Sequence, residues 1–281
     1  MQLIKDISRI RQVVGTRKAK GDKIGLVPTM GYLHDGHVSL IKKAVAECDF
    51  VVVSIFVNPM QFLPKEDYKQ YPRDIKHDLS LCEKAGAKVV FYPLANHMYT
   101  PGFETYVNVK TLANDLCGKT RPGHFNGVAT IVIKLLNIVA PDAVYFGQKD
   151  AQQAIIIKRV ITDLNINTEL RVLPIVREQS GLALSSRNVY LNKGQKQNAA
   201  SIYKILCKAK KTVKAGITDV SEIQQMVSSQ INKIPGASVD YVKVLGADNL
   251  EPLKQIKTKA LLAVAVYFTK TRLIDNVIIN T

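Results

Sequence analysis

Two histidines three residues apart, His34 and His37, end the segment Pro-Thr-Met-Gly-Tyr-Leu-His-Asp-Gly-His that runs from Pro28 to His37. The apolar stretch Ile24-Gly25-Leu26-Val27 precedes it and the amphipathic run Val38 to Cys48 follows. A strand, a glycine-punctuated turn with two imidazoles and then a helix bring backbone N–H groups and positive charge together, which makes a site for an anion. Two chemistries suit the imidazoles: phosphate contact through Nε2–H donors, or metal ligation. Zinc is disfavoured, because no nearby Cys or carboxylate cluster completes a ligand set.

The elements that must position this turn alternate. Ile24–Val27, Phe50–Val57, Lys88–Tyr92, Ala143–Phe146 and Glu169–Ile175 read as strands, apolar enough to be buried on both faces. Helical patterns fall at Val38–Cys48, at Pro72–Ala85 with Pro72 near the first turn, at Val128–Val139 before Pro141, and at Ala151–Leu164. Such alternation predicts an α/β fold, a Rossmann-like doubly wound parallel sheet. Ligands collect beyond the carboxyl ends of the strands in such sheets, so the first turn, Asn58–Gln61 and Gly147–Asp150 should face one crevice. After about Ile175 the pattern changes to helices near Gly194–Lys214 and Asp219–Lys233, then strands near Val239–Leu245, Ala260–Phe268 and Leu273–Ile279. The expected organisation is a nucleotide-binding domain over residues 1–175 and a smaller C-terminal α+β domain over 176–281, with a short hinge near Ile175.

Composition bounds the partners. Of 281 residues, 39 are Lys or Arg and 23 Asp or Glu, a formal charge of +16 that concentrates anionic ligands of any kind. The run Lys204, Lys208, Lys210, Lys211 and Lys214 reads as a solvated helix face, because Ile202, Ile205, Leu206 and Ala209 supply an apolar face beside it. With no Trp and 7% aromatic residues, no aromatic-interleaved basic motif points to nucleic acid. The longest apolar runs, Phe50–Val57 and Ala260–Phe268, are too short to span a bilayer as helices, and the first residues lack a secretory signal, so the expected location is cytoplasmic. Cys48, Cys82, Cys117 and Cys207 form no Cys-x-x-Cys pair and read as reduced thiols. Gly118-Lys119-Thr120 imitates the end of a P-loop, but Ala113 stands where the loop needs its first glycine.

Further motifs follow in order: Ser54-Ile55-Phe56-Val57-Asn58-Pro59-Met60-Gln61-Phe62, Tyr71-Pro72-Arg73-Asp74, Arg121-Pro122-Gly123-His124-Phe125, Phe146-Gly147-Gln148-Lys149-Asp150 with Gln152-Gln153, and Leu184-Ser185-Ser186-Arg187-Asn188. The Pro28–His37 segment resembles the His-x-Gly-His signature of the adenylate-forming nucleotidyltransferase superfamily. With the other five motifs, the chain is similar from end to end to the pantothenate synthetases (pantoate–β-alanine ligases).

That resemblance implies ATP-dependent condensation of pantoate with β-alanine through a pantoyl adenylate, releasing pyrophosphate and AMP, with Mg²⁺ accompanying ATP. Carried over residue by residue, Met30, Gly31, Tyr32, Leu33, His34, Asp35, Gly36 and His37 would line the ATP site, together with Gly147, Gln148, Lys149, Asp150, Val176, Leu184, Ser185, Ser186 and Arg187. Gln61 and Gln153 would bind pantoate, and Gln61 also β-alanine; their neutral amides leave the carboxylate nucleophilic. Catalytic roles fall to His37, His34 and Lys149. The family describes His37 as a proton donor, whereas charge stabilisation is the role we expect, because pyrophosphate on Mg²⁺ already leaves readily. The family commonly has Glu where Gln148 stands and often Met at Leu184. Arg121 and His124 read equally as cavity rim or as structural loop and stay outside the core set. The resemblance also implies a homodimer. Its rivals are a nucleic-acid-binding module and a transferase that moves a nucleotidyl group onto a phosphate ester.

Overall fold

The computed structural model describes residues 1–64 and 66–280. Its contacts divide the chain into two compact units, one of Met1–Gly147 with Ile156–Leu173, the other of Gln148–Ile155 with Pro174–Thr281. The chain therefore enters the second unit briefly at Gln148, returns, and leaves again after Leu173.

In the first unit, β1 (Gln2–Ile4), α1 (Ile7–Lys18), β2 (Ile24–Thr29), α2 (Asp35–Glu47), β3 (Phe50–Ile55), α3 (Ile75–Lys84) and β4 (Val89–Phe91) come first. Two short helices, α4 (Ala95–Met98) and α5 (Cys117–Thr120), lead to α6 (His124–Val139), β5 (Ala143–Gly147), α7 (Ala151–Asp163) and β6 (Glu169–Leu173). The strands form a parallel sheet in the order β1-β4-β3-β2-β5-β6. From β2 the chain runs outward through β3 and β4, with β1 added at the edge beyond β4, and from β5 through β6 to the other side, so the connections reverse between β2 and β5, where an α/β sheet opens a ligand crevice. Val27, Ile41, Val51, Val53, Val90 and Tyr145 are buried at the centre of a core between the sheet and its helices.

The sequence pattern misses β1 and α1. Three residues of strand are too short to show alternation, and α1 buries only Ile10 and Val14 among Arg and Lys. The helix expected at Pro72 begins at Ile75, because Asp74 caps it by accepting from the His77 N–H at 3.0 Å, which leaves Pro72 outside. Burial on both faces fails for β6, the sheet's edge strand, where Glu169 and Val172 are exposed. The Gly118-Lys119-Thr120 decoy lies in α5 and follows no strand.

The second unit holds α8 (Lys193–Lys214), α9 (Val220–Ile231) and an antiparallel sheet of β7 (Ala237–Gly246), β8 (Ala260–Phe268) and β9 (Thr271–Ile279) in the order β7-β8-β9. Leu206, Ile223, Val227, Leu262, Val266 and Phe268 form its own core, so the fold is a Rossmann-like parallel sheet followed by a smaller α+β unit.

Candidate active site

The turn after β2 is fastened residue by residue. Thr29 Oγ1 donates to the Ser54 carbonyl at 2.8 Å and accepts from the Gly31 N–H at 3.2 Å. Gly31 takes a φ of +81°, and a Cβ there would lie 2.9 Å from both Asp78 Oδ2 and Ile55 Cγ2, so glycine is required on two counts. Asp78, buried on α3, accepts from the N–H of Tyr32 at 2.9 Å and of Leu33 at 2.7 Å. Burial pushes its carboxyl up, while those two N–H groups pull it back toward the ionised form.

The chain then turns into α2, capped by His34 and starting at Asp35, three residues ahead of the expected start at Val38. The Gly36 N–H donates to His34 Nδ1 at 3.1 Å, and the His34 N–H to His37 Nδ1 at 3.3 Å, with ring centroids 4.1 Å apart. Each Nδ1 accepts, so in each neutral ring the proton sits on Nε2. This pattern separates the two chemistries open to the pair. A metal on Nε2 would need the proton at Nδ1, where a backbone donor already points, whereas an anion is met by Nε2–H groups at the positive end of a 13-residue helix. Gly147, at the end of β5, borders the same switch point, and a Cβ there would meet nothing within 4 Å.

After β3, Gln61 closes the short turn Pro59–Gln61. Asn58, 1% exposed, sets this turn: its Oδ1 accepts from the Met60 N–H at 3.3 Å and from the Tyr99 hydroxyl at 2.7 Å, and its Nδ2 donates to the Gly127 carbonyl at 3.0 Å and to Gln61 Oε1 at 3.1 Å. An N–H can only donate and a carbonyl can only accept, so the Asn58 amide has one orientation. Gln61 must therefore turn its oxygen to Asn58 and its NH₂ away, toward Met30 Sδ at 2.8 Å. The Gln61 carbonyl meets Arg121 Nη2 at 3.1 Å and His124 Nδ1 at 2.7 Å. Arg121 also faces His124 Nε2 at 3.0 Å; since a guanidinium only donates, Nε2 accepts and Nδ1 carries the proton given to Gln61. Glu66 completes the clamp 2.6 Å from Arg121 Nη2. Burial raises the Glu66 carboxyl, but the Arg121 hydrogen bond and charge outweigh it and leave the group below its ordinary value.

In the second unit, Gln148–Asp150 is another single turn, with Lys149 Nζ 3.1 Å from Asp150 Oδ2. Asn276 on β9 donates through Nδ2 to the carbonyls of Gln148 at 2.9 Å and Lys149 at 3.1 Å, and accepts from Gln148 Nε2 at 3.2 Å. Val176 and Leu184 are brought together: the Leu184 N–H donates to the Val176 carbonyl at 3.0 Å, and Arg177 bridges Ala183 in antiparallel fashion, which makes the stem of a small hairpin. Ser185 Oγ accepts from the Arg187 N–H at 3.3 Å and caps the following turn, in which Ser186 is buried. Gln153, on the first turn of α7, is half-buried and belongs to this unit, whereas Gln61 belongs to the first.

Sequence reasoning left out Asp78, Asn58 and Asn276. Asp78 had a signal, since it shares the buried side of α3 with Cys82 four residues on, and a carboxylate there needs donors. Asn58 lay inside a quoted motif, and Arg121 and His124 proved to hold the Gln61 carbonyl. Asn276 gave no local signal, because its partners are more than 120 residues away in the chain.

A parallel sheet with an imidazole-bearing helix N-terminus at its switch point defines an α/β nucleotide-handling enzyme of the His-x-Gly-His type. Residues 2–278 match the family model for pantoate-beta-alanine ligase. A pantothenate synthetase of Acetivibrio thermocellus is 51% identical over 280 residues, covering all of both chains, and one of Pelotomaculum thermopropionicum is 50% identical, covering all of this chain and 99% of the other. The crystal structure of pantothenate synthetase from Thermus thermophilus superposes over all of both chains with a TM-score of 0.95 at 39% identity. The pantoate-beta-alanine ligase of Francisella tularensis, solved in complex with beta-gamma ATP and β-alanine, gives 0.82 at 38% identity over 99% of this chain and 97% of that one. The chain belongs to the pantoate–β-alanine ligase family and is a ligase.

Proposed function

We propose that the chain condenses (R)-pantoate with β-alanine at the expense of ATP, by way of a pantoyl adenylate, on the residues described above. The family match over residues 2–278 carries this reading, and the ATP and β-alanine of the Francisella complex support the two ligands. In the first step a pantoate carboxylate oxygen attacks the α-phosphorus, the bond from that phosphorus to the bridging oxygen breaks, and pyrophosphate leaves with the electron pair. In the second the β-alanine amine attacks the acyl carbon, loses a proton, and AMP leaves.

His34 and His37 hold Nε2–H donors toward the phosphates at the helix N-terminus, where their polarity and the helix dipole stabilise developing negative charge. Lys149 adds a full charge at the α-phosphate, and Ser185, Ser186 and Arg187 take the rest of the triphosphate, with Met30–Asp35, Gly36, Gly147, Gln148, Asp150, Val176 and Leu184 completing the ATP site. Gln61 meets pantoate, and then β-alanine, with the NH₂ that Asn58 turns outward, and Gln153 supplies the second amide. A neutral donor orients the hydroxy acid without blunting its carboxylate. The C-terminal domain closes over ATP and shields the adenylate from water.

Mg²⁺ fits as an ion that arrives on the triphosphate. Among the described residues no group of three or more His, Cys, Asp or Glu side chains is placed to hold a metal, and Mg²⁺ characteristically relies on substrate phosphates with few protein carboxylates. It supplies charge neutralisation on the phosphates. No helix of the described residues is long and apolar enough to cross a membrane, and the reading places the enzyme in the cytoplasm as a homodimer.

The test is AMP release from ATP in Mg²⁺ buffer, with both substrates and with each omitted. Release that needs pantoate and β-alanine together is the expected result. Turnover indifferent to both, or none from folded protein, would refute the reading.

A further inference from the structure

The segments read as ATP contacts in the second unit are short, and bonds from one strand add to their own. The Gln148–Asp150 turn is one turn long and leads into α7, and the Val176–Leu184 hairpin is closed by two cross-stem bonds, Leu184 N–H to the Val176 carbonyl at 3.0 Å and Glu178 N–H to the Leu182 carbonyl at 2.9 Å. Both are tied to two adjacent residues of β9.

Asn276, 4% exposed, spends both Nδ2 hydrogens on the carbonyls of Gln148 and Lys149, so the backbone on either side of the Lys149 peptide is fixed to the strand. Those two carbonyls are obligate acceptors, which sets the amide and leaves Oδ1 facing Gln148. Gln148 answers with Nε2, a donor that a glutamate in its place would lack. Asp275, 6% exposed, takes Arg177 in a two-pronged pair, Nη1 to Oδ2 at 2.6 Å and Nη2 to Oδ1 at 2.7 Å. Arg177 follows Val176 directly, stacks 3.6 Å over the Tyr203 ring, and reaches the Gly181 carbonyl at 3.1 Å across the hairpin. The Asn276 N–H donates to Asp275 Oδ1 at 2.7 Å and joins the two anchors.

We infer that Asp275 and Asn276 are positioning residues for ATP, which reference the Lys149 turn and the Val176–Leu184 hairpin to one point on β9. This rests on the reading that Lys149 and residues 176–187 take the nucleotide. Buried, fully satisfied polar pairs hold geometry tightly, and a displaced phosphate donor weakens binding without touching ligand itself.

The experiment measures KM for ATP and for pantoate, with kcat, on Asn276→Asp, Asp275→Asn, Lys149→Met and Asp240→Asn. Asp240 pairs with Arg272 of the same sheet at 2.7 Å, a comparable ion pair between two residues that belong to neither ATP segment. Asn276→Asp sets a carboxylate against two carbonyls, and with Asp275→Asn it should raise KM for ATP about tenfold or more, leaving that for pantoate within about twofold. Asp240→Asn should lower the melting temperature and leave KM for ATP within about twofold. If Asn276→Asp does not fold, Asn276→Ser takes its place under the same thresholds. An unchanged KM for ATP in both β9 variants, or an equal rise in Asp240→Asn, overturns the inference. Lys149→Met separates the two levels: if it uses ATP normally, the ATP reading itself fails, whereas a damaged Lys149→Met beside normal β9 variants sinks only the positioning claim.

Discussion

The turn that carries His34 and His37 and the turn that carries Lys149 are held by opposite means. The first is fastened by backbone groups of its own segment and by the cap it makes for α2, with further bonds to Asp78 on α3 and, through Thr29, to the Ser54 carbonyl on β3. The second leads into α7 and has its carbonyls held by Asn276, on the far side of the sequence. The Gln61 turn stands between them, since Asn58 is local while Arg121, His124 and Gly127 come from around α6. Locally fastened groups stay set when distant parts of the chain move, and remotely fastened ones follow the element that holds them.

Substitutions at each turn can break this contrast. The largest loss is expected for His37→Gln, which removes one of the paired Nε2–H donors: adenylation measured by pyrophosphate release should fall on the order of 10²-fold. Activity close to that of the parent would refute both a proton-donor and a charge-stabilising role. Next comes Gly127→Ala. A Cβ there would lie 2.2 Å from the Met60 carbonyl oxygen and 2.7 Å from the Gln61 nitrogen, so α6 and the turn must part. Stability measured in urea should drop by about 1–3 kcal/mol. KM for pantoate should rise more than KM for ATP; an equal rise in both would remove Gly127 from the Gln61 turn's account.

A smaller effect, visible only in acid, is expected at Glu66. Its carboxyl lies below the ordinary 4.5 in the folded chain, so it contributes stability that is present above that value and lost as pH falls through the lower folded one. Urea unfolding from neutral pH down to acid should show a shallower decline for Glu66→Gln than for the parent, starting from a lower neutral value. Parallel curves would mean that the Arg121–Glu66 pair does not govern the acid limb. The least change is expected for Leu184→Met, a volume-conserving exchange on the hairpin stem, with KM for ATP within about twofold of the parent; a large shift would show that the stem is read more finely than its backbone pairing suggests.

The parallel sheet was legible because β2, β3 and β5 are continuous apolar runs separated by helical periods, and β8 was read to the residue at both ends. Of the two edges, β1 was missed because it is too short for a period, whereas β6 was read from its first residue and only its expected burial on both faces failed. Helix starts slipped at His34 and at Asp74, where a side-chain cap outweighed the apolar pattern, and at α6, which begins at His124 rather than Val128 behind Gly123 without a side-chain cap. The candidate site residues all come from contiguous motifs or from the resemblance those motifs carry. The groups that orient them could not be read there, because the polarity that fixes the Gln61 amide passes through Asn58 to a carbonyl 69 residues away, and that of the Lys149 turn passes to β9.

The central claim, that the pantoate carboxylate is activated as an adenylate, is tested most directly by labelling that carboxylate with oxygen-18 and following the label through one turnover with β-alanine. Attack by the carboxylate on the α-phosphorus predicts one labelled oxygen in the phosphate of the released AMP and none in pyrophosphate. Unlabelled AMP formed alongside the amide would contradict the account.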